Sequence, residues 1–350
     1  MSLDPAMAHK KLTAIWKDAN VPVLDAGGGR FAIMSDIHLG DGGHSDDFHN
    51  NESAMLRALK YYRQKGFSLV LLGDIEEFWQ FDYDRIVGRY DKTVYKVVRG
   101  FGDDRVHRVF GNHDLEWGTP CDPTKNHPLT ETCATQALKL RAANGTVCAL
   151  LLHGHQGSRE SDRTSWISRP MVRLFKHVEP LAKLLGLYGH GESTKSMITK
   201  DYEKVLYRWA KKQKVILICG HSHRAIFASR SYLDRLEEDM LNIGHRLRTE
   251  ELGDATRDGM LGEMERLRKE IADEKARDRE IDRVEPMGTP KPCYFNTGCA
   301  LYENGLTVIE VVDDIIHLVK WYRAPEHGAY RELYSEPLAL SDCASRTGCR

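Results

Sequence analysis

The stretch FAIMSDIHLGD, residues 31–41, joins a run of apolar residues to an aspartate and a histidine. Four later stretches have the same form: SLVLLGDIEEFW (68–79), VHRVFGNHDLEW (106–117), VCALLLHGHQ (147–156) and KVILICGHSHR (214–224). Each apolar run predicts a buried strand, and each strand ends at residue types that bind metals. We therefore expect the strands to carry these residues to one common edge of a sheet.

The polar residues of the five stretches suit a pair of divalent cations, which take imidazole and carboxylate ligands. Two such cations lie roughly 3.5–4 Å apart and need a bridging carboxylate, for which Asp74 is placed. A hydroxide held between the cations is a nucleophile at neutral pH and suits in-line attack on phosphorus. The predicted ligands are Asp36, His38, Asp74, Asn112, His153, His221 and His223.

Two further residues are candidates for the chemical step itself. His113 follows the predicted ligand Asn112, and the carboxylate of Asp114 stands next to it in the sequence, placed to fix its tautomer. Such an imidazole can protonate a leaving oxygen or stabilise charge on a phosphoryl group.

His155 can be a residue behind the ligands, a substrate contact or a packed core residue. The other candidate substrate contacts are Arg159 and Arg163.

The amino-acid composition limits the classes of protein to which this chain can belong. With 50 basic and 51 acidic residues the net charge is −1, so no overall field favours nucleic acid or a membrane surface. No apolar run reaches the roughly 20 residues that span a bilayer. The start, MSLDPAMAHKK, lacks an apolar signal-peptide stretch, and MSLDPAM resembles an appended sequence, so we expect residues 1–8 to be a non-native start. The eight cysteines show no CxxC pairing, which favours reduced thiols and a cytoplasmic location.

Helical spacing of apolar residues predicts helices over residues 51–65, 91–100, 131–143 and 199–213, as a layered α/β fold requires. Residues 292–323 predict three strands of a second sheet. We expect a main domain of residues 9–231 and 286–330, followed by a C-terminal tail, residues 331–350.

Two segments are predicted to be insertions. Residues 158–195 have an apolar helical face beside basic residues and predict a helical lid. Residues 232–285 are densely charged and contain two short heptad stretches, which indicate an antiparallel helical hairpin. Its expected role is self-association as a homodimer or gating of the site, and the alternative is a solvated surface insertion.

The pattern D36-x-H38, G73-D74, G111-N112-H113-D114, H153-G154-H155 and G220-H221-S222-H223 resembles the signature of the calcineurin-like metallophosphoesterase superfamily. The resemblance implies a four-layer αββα sandwich of two sheets flanked by helices, here with the lid and the hairpin inserted. It implies Asp36, His38, Asp74 and His223 at one metal, and Asp74, Asn112, His153 and His221 at the other. It also implies manganese, iron or zinc as the two ions.

A second resemblance concerns the substrate. Bacterial UDP-2,3-diacylglucosamine pyrophosphohydrolases also have a GD-x-x-E-x-W stretch, like residues 73–79, and a helical lid in the same place. This similarity implies a lipid-linked pyrophosphate substrate and contact with a membrane surface. The alternatives are a general soluble phosphomonoesterase or phosphodiesterase, a nuclease, and a scaffold with a dead site. The near-neutral charge balance argues against the nuclease, and an intact set of ligands argues against the scaffold.

Overall fold

Two seven-stranded sheets form the centre of the computed structural model, which describes residues 4–43, 45–118, 134–156, 191–249, 253–277, 291–302, 304–326 and 328–348. The first sheet has the strand order β13-β12-β11-β2-β3-β4, with β14 beside β12. Its strands are β2 (Arg30–Met34), β3 (Ser68–Leu72), β4 (Val106–Val109), β11 (Gly305–Val312), β12 (Ile315–Glu326), β13 (Ala329–Leu333) and β14 (Leu338–Ala339). Strands β2, β3 and β4 are parallel, so their carboxyl ends lie at one edge.

The second sheet has the strand order β1-β5-β6-β7-β10-β8-β9. Its strands are β1 (Val23–Asp25), β5 (Leu138–Arg141), β6 (Val147–Leu151), β7 (Ile216–Cys219), β8 (Ala225–Phe227), β9 (Arg230–Ser231) and β10 (Tyr294–Thr297). Strands β6 and β7 are parallel neighbours, and β10 runs parallel to β7. The three strands expected in residues 292–323 are therefore confirmed, but β10 joins this sheet while β11 and β12 join the first one.

The alternation of side chains along the strands creates the layers. Phe31 and Ile33 of β2 pack in one buried cluster with residues of β5, β6 and β7, which fills the space between the sheets. Ala32 and Met34, which point the opposite way, pack with residues of the helices outside the first sheet. Leu217 and neighbouring residues pack with the helices outside the second sheet. This arrangement confirms the four-layer αββα sandwich.

The helices outside the sheets match the predicted spacing in most places. They are α1 (Pro5–Lys17), α2 (Glu52–Gln64), α3 (Tyr83–Tyr90), α4 (Lys96–Arg99), α5 (Gly191–Gln213), α6 (Tyr232–Thr249), α7 (Asp254–Arg277) and α8 (Leu340–Thr347), with a π-helical turn at Asp91–Tyr95. The helix predicted over residues 131–143 is wrong where the structure describes it. Leu138–Arg141 is strand β5, because pairing with both β1 and β6 outweighs the local helical spacing.

Both ends of the described chain pack into the domain. Asp4 caps α1 by accepting hydrogen bonds from two backbone N–H groups, and Ala8 in this helix is fully buried. Part of residues 331–350, the expected tail, belongs to β13, β14 and α8, and Leu340 and Cys343 are buried between the sheets. These stretches therefore contribute to the core.

The charged segment between β9 and β10 contains two helices, α6 and α7. Leu236 near the start of α6 packs with Leu267 and Ile271 in the second half of α7, so the helices run antiparallel, as the predicted hairpin does. Leu241 and Leu261 are exposed on it. Self-association through this segment stays a prediction. Most of the predicted lid lies outside the described residues, and only its last residues appear, at the start of α5. Among the described helices, none is both long and apolar enough to cross a membrane.

Candidate metal centre

The five polar stretches meet at one end of the sandwich. The loops after β2, β3 and β4 come from the first sheet, and those after β6 and β7 come from the second, so the expectation of a single sheet edge is wrong. Hydrogen bonds join the two halves. His153 Nδ1 donates to the carbonyl oxygen of Leu72 at 3.0 Å, and the backbone N–H of His221 donates to Asp36 Oδ1 at 3.0 Å. The facing sheets thus place all the predicted ligands together.

Backbone conformation directs several of these side chains. Five predicted ligands have positive φ angles, a region that non-glycine residues rarely adopt. They are Asp36 (50°), His38 (53°), Asp74 (53°), His221 (68°) and His223 (59°). Such conformations cost of order 1–2 kcal/mol per residue and cluster at functional sites, where the surrounding structure maintains them.

The first cluster contains Asp36, His38 and His223, whose ligand-type atoms all lie within 4.8 Å of one another. His223 Nε2 is 3.2 Å from Asp36 Oδ1 and 3.2 Å from His38 Nε2. The His38 and Asp36 side chains are buried, whereas the His223 side chain is 41% exposed. One carboxylate and two imidazole nitrogens therefore converge at the edge of the site.

The second cluster contains Asp74, His153 and His221, again with ligand-type atoms within 4.8 Å of one another. His153 Nε2 lies 2.9 Å from Asp74 Oδ2 and 4.0 Å from Asp36 Oδ1. His153 therefore faces the carboxylates of both clusters. The other Asp74 oxygen, Oδ1, accepts the backbone N–H of His113 at 2.8 Å, which connects Asp74 to the loop that carries Asn112.

The unsatisfied atoms of this second cluster suit a cation. Asn112 Oδ1 is buried and has no hydrogen-bond partner among the described residues, and the only group within 3 Å that is described at His153 Nε2 is the Asp74 carboxylate. Buried polar atoms nearly always have partners, so an unpaired amide oxygen beside a carboxylate and an imidazole suits a bound cation. Oxygen and imidazole ligands suit manganese, iron or zinc. The residues present therefore fit the two-metal arrangement that the sequence predicts.

Glu77 and His113 border the first cluster. Glu77 Oε1 lies 2.8 Å from His113 Nδ1, and Glu77 Oε2 lies 2.8 Å from His38 Nδ1. The rings of His38 and His113 meet edge to face, with their centroids 4.8 Å apart. His113 is thus adjacent to the predicted metal ligands but is held by a different carboxylate from the one expected.

The sequence profile of calcineurin-like phosphoesterases matches residues 29–225, which include all five polar stretches. The chain belongs to the calcineurin-like phosphoesterase family. This calcineurin-like phosphoesterase is accordingly a metal-dependent phosphoester hydrolase, and the family's binuclear divalent centre agrees with the two clusters. A search of curated proteins found no matching relative.

Charge in the calcineurin-like centre is balanced by protons on its histidines. Burial disfavours the charged form of His153, but Asp74 and Asp36 outweigh it and raise its pKa to about 10. Burial likewise opposes ionisation of Asp36, yet His153 and His223 lower its pKa to about 2. His221 has a pKa lowered to about 3 by burial and by His153, so it stays neutral and keeps a lone pair for a metal. Cations binding here would displace the proton of His153.

Asp114 does not fix the tautomer of His113, so that expectation is wrong. This carboxylate is fully buried, and it accepts hydrogen bonds from the backbone N–H groups of Gly111 at 2.6 Å and Ile75 at 2.9 Å. It therefore ties the loop after β3 to the loop after β4. Burial, with Asp74 and Glu76 nearby, raises the pKa of Asp114 to about 7. Its position supports the loops, and a fully buried side chain cannot touch a substrate.

The three candidate substrate contacts differ in position. His155 is buried, its ring centroid is 5.6 Å from that of His153, and burial holds its pKa well below the usual range. Its Nδ1 atom has no hydrogen-bond partner among the described residues. This places His155 behind the second cluster, rather than at an exposed surface. Arg159 and Arg163 lie outside the described residues.

Glu77 and Trp79 are functional candidates that sequence reasoning did not select. Both belong to the GD-x-x-E-x-W stretch, which is the signal that could have identified them. Trp79 stacks on the His113 ring, with the centroids 4.1 Å apart, and its Nε1–H donates to the Asn112 carbonyl oxygen at 2.9 Å. The loop after β3 therefore supplies the carboxylate predicted to bridge the metals, a histidine-binding carboxylate and an aromatic ring.

Proposed function

We propose that this phosphoesterase hydrolyses its substrate with His113 as the group that protonates the leaving oxygen. The observation that carries the proposal is the contact of His113 with Glu77 beside the two ligand clusters. When bound, two divalent ions supply the positive charge that polarises a phosphoryl group and that generates a nucleophile from water at neutral pH. The remaining task for the protein is to deliver a proton to the departing oxygen.

The surroundings of His113 suit that task. Burial would lower its pKa, but Glu77 and Asp74 outweigh this effect and raise it to about 9. The imidazole is therefore protonated at neutral pH in the metal-free chain. Since Nδ1 is engaged by Glu77, Nε2 is the nitrogen left to give a proton, and the side chain retains 20% exposure. A cationic ring also stabilises negative charge that develops on a phosphoryl group.

We further propose a nucleotide-lipid pyrophosphate, such as UDP-2,3-diacylglucosamine, as the substrate. The support is the similarity of residues 73–79 to enzymes that cleave this compound, together with the contacts that Glu77 and Trp79 make in the site. An acylated substrate would bring the protein to a membrane surface as a peripheral enzyme.

Hydrolysis of three matched substrates by manganese-loaded protein tests the hydrolase activity and the substrate proposal. The set comprises an aryl phosphomonoester, an aryl phosphodiester and a UDP-linked diacyl sugar, with Asp74→Asn as the inactive control. We expect efficient cleavage of the lipid substrate and little of the others. Activity confined to the small esters would overturn the substrate proposal and leave the role of His113 standing. No hydrolysis of any of the three would contradict the proposed function.

A further inference from the structure

Glu77 contacts two histidines at once. Its side chain is almost fully buried, with Oε2 2.8 Å from His38 Nδ1 and both carboxylate oxygens 2.8 Å from His113 Nδ1. The backbone N–H of Trp79 also donates to Oε1, at 3.2 Å. Contacts of this length between ring nitrogens and a carboxylate are charge-assisted hydrogen bonds. An ionised carboxylate only accepts hydrogen bonds, so both Nδ1 atoms must carry protons.

This protonation pattern determines what each ring offers to the site. A proton on Nδ1 of His38 leaves a lone pair on Nε2, the atom that lies 3.2 Å from His223 Nε2 in the first cluster. A ligating histidine usually has this arrangement, with its other nitrogen donating to a carboxylate or carbonyl group. His153 shows the same pattern through the Leu72 carbonyl oxygen. For His113, the same proton position leaves Nε2 to face the substrate.

We propose that Glu77 is a positioning residue that orients a metal ligand, His38, and the proton donor, His113, through one shared carboxylate. The part that concerns His113 rests on the proposed function, whereas the part that concerns His38 does not. One side chain would then couple the geometry of the first metal to that of the leaving-group histidine. Any displacement of Glu77 would affect both rings together.

Only a carboxylate can accept hydrogen bonds from all three N–H groups around Glu77, those of His38, His113 and the Trp79 backbone. The amide in Glu77→Gln keeps the shape of the side chain but has a single acceptor oxygen, and its NH2 group cannot accept a hydrogen bond. The backbone N–H of Trp79 donates to Oε1 and cannot lose its proton, whereas an imidazole can change its tautomer, so the amide oxygen should stay on the Oε1 side. The NH2 group would then face His38 Nδ1–H, and His38 would have to move its proton to Nε2. That change would remove the lone pair that the first metal needs.

The three side chains His38, Glu77 and His113 also lie close enough to hold an ion of their own. The 2.8 Å contacts from both Nδ1 atoms to the carboxylate are the length of charge-assisted hydrogen bonds, which favours protons in these positions. A metal ion bound by these three side chains would be a third metal ion per protein molecule. Counting bound metal therefore separates the two arrangements.

The test compares Glu77→Gln and Glu77→Ala with Glu265→Gln, a change on α7 at a side chain that is 77% exposed. In zinc-loaded protein, long-range ¹H–¹⁵N NMR of the imidazoles reports which nitrogen of each ring carries the proton. We expect Nδ1–H at His38 in the parent protein and in Glu265→Gln, and loss of that tautomer in Glu77→Gln. Zinc affinity, measured by competition with a chelator, should fall about ten- to hundredfold in Glu77→Gln.

Activity adds a second readout, taken over a series of phosphoesters with leaving groups of increasing pKa. Glu77→Ala releases both histidines, so its loss of kcat/KM should grow as the leaving group becomes poorer. Unchanged His38 tautomer and zinc affinity within about twofold in both Glu77 variants would overturn the proposal. Binding of a third zinc that is lost in Glu77→Gln would also overturn it. If the parent protein hydrolyses none of the esters, the proposed function fails, and the NMR and zinc measurements still decide the role of Glu77 toward His38.

Discussion

The indole of Trp79 lies flat against the imidazole of His113, with the ring centroids 4.1 Å apart and the planes inclined by 21°. The same indole donates its Nε1–H to the carbonyl oxygen of Asn112, at 2.9 Å. His113 is therefore fixed on its face by Trp79 and at its Nδ1 edge by Glu77. A ring held in two directions has little freedom to leave the orientation in which it meets a substrate.

Separate substitutions at Trp79 should distinguish these two contacts. Trp79→Phe keeps an aromatic face for His113 but loses the hydrogen bond to Asn112, so we expect kcat to fall about two- to tenfold. Trp79→Leu also loses the aromatic ring, so its kcat should fall by a similar further factor. Steady-state kinetics on the best substrate measures both effects. Equal rates in the two variants would show that the stacking contact does not contribute.

Asp74→Asn should abolish turnover and weaken the binding of both metals. The two Asp74 oxygens face His153 and the backbone N–H of His113 at the junction of the clusters, where a bridging carboxylate belongs. Replacing its charge removes several kcal/mol of electrostatic stabilisation, about a thousandfold or more in rate. Activity assays should be paired with metal analysis of the same sample. Full activity in a metal-analysed sample of this variant would refute the bridging assignment.

His113→Asn should reduce the rate while both metals are retained, because this ring acts on the substrate and is not a predicted ligand. Loss of a general acid reduces kcat by about 10²–10⁴-fold, most strongly for poor leaving groups. His107→Asn is the matched control, since His107 lies in β4 and its described ring contact is with Phe31. A parent-like rate in His113→Asn would remove His113 from the chemical step.

The sequence predicted the ligand clusters well because a metal ligand carries its own chemical identity. The position of each ligand after an apolar run was enough to predict that Asp36 and His223 lie close together. Which strands share a sheet was not predictable from the sequence. The sequences of β10 and β11 both predict strands, and only their tertiary pairing places them in different sheets. The strand Leu138–Arg141 was missed for the same reason.

Glu77 escaped sequence reasoning because its role depends on residues distant in the chain. Its partners are 39 and 36 positions away, and no local pattern says that they meet. The prediction for Asp114 was wrong for the opposite reason, because it relied on closeness in the sequence. It stands beside His113 in the sequence, but the turn after β4 directs its carboxylate to the backbone of Gly111 and Ile75. Adjacency in sequence therefore misassigned the partner that the fold provides from another loop.

Gly111→Ala should weaken metal binding without unfolding the protein. A Cβ atom at this position would overlap Asp74 Oδ1 and crowd the Asp74 backbone nitrogen, so Asp74 would have to move. We expect metal affinity to fall about tenfold or more, as for other disturbances around a ligand. Gly88→Ala in α3 is the control, because a Cβ there meets nothing within 4 Å. Equal metal affinities in the two variants would contradict the close approach of these loops.

A buried ion pair next to the site should contribute strongly to stability. Glu76 is fully buried and lies 2.8 Å from Arg108 Nη2, and it also accepts hydrogen bonds from Tyr95 OH at 3.0 Å and Trp117 Nε1 at 3.1 Å. Glu76→Gln would leave the Arg108 charge buried without its counter-charge. Removing one partner of a buried pair costs about 3–5 kcal/mol, because the remaining ion stays desolvated. Urea-induced unfolding measures the change.

The comparison for Glu76→Gln is an exposed pair on the helical stretch that carries Tyr95. Asp91 and Arg99 lie 2.9 Å apart, but their side chains are 45% and 40% exposed, so water already solvates both charges. Asp91→Asn should therefore change the free energy of unfolding by no more than about 1 kcal/mol. A similar small change in Glu76→Gln would mean that the amide and the hydrogen bonds from Tyr95 and Trp117 suffice to hold this region. The negative charge of Glu76 would then be unnecessary for stability.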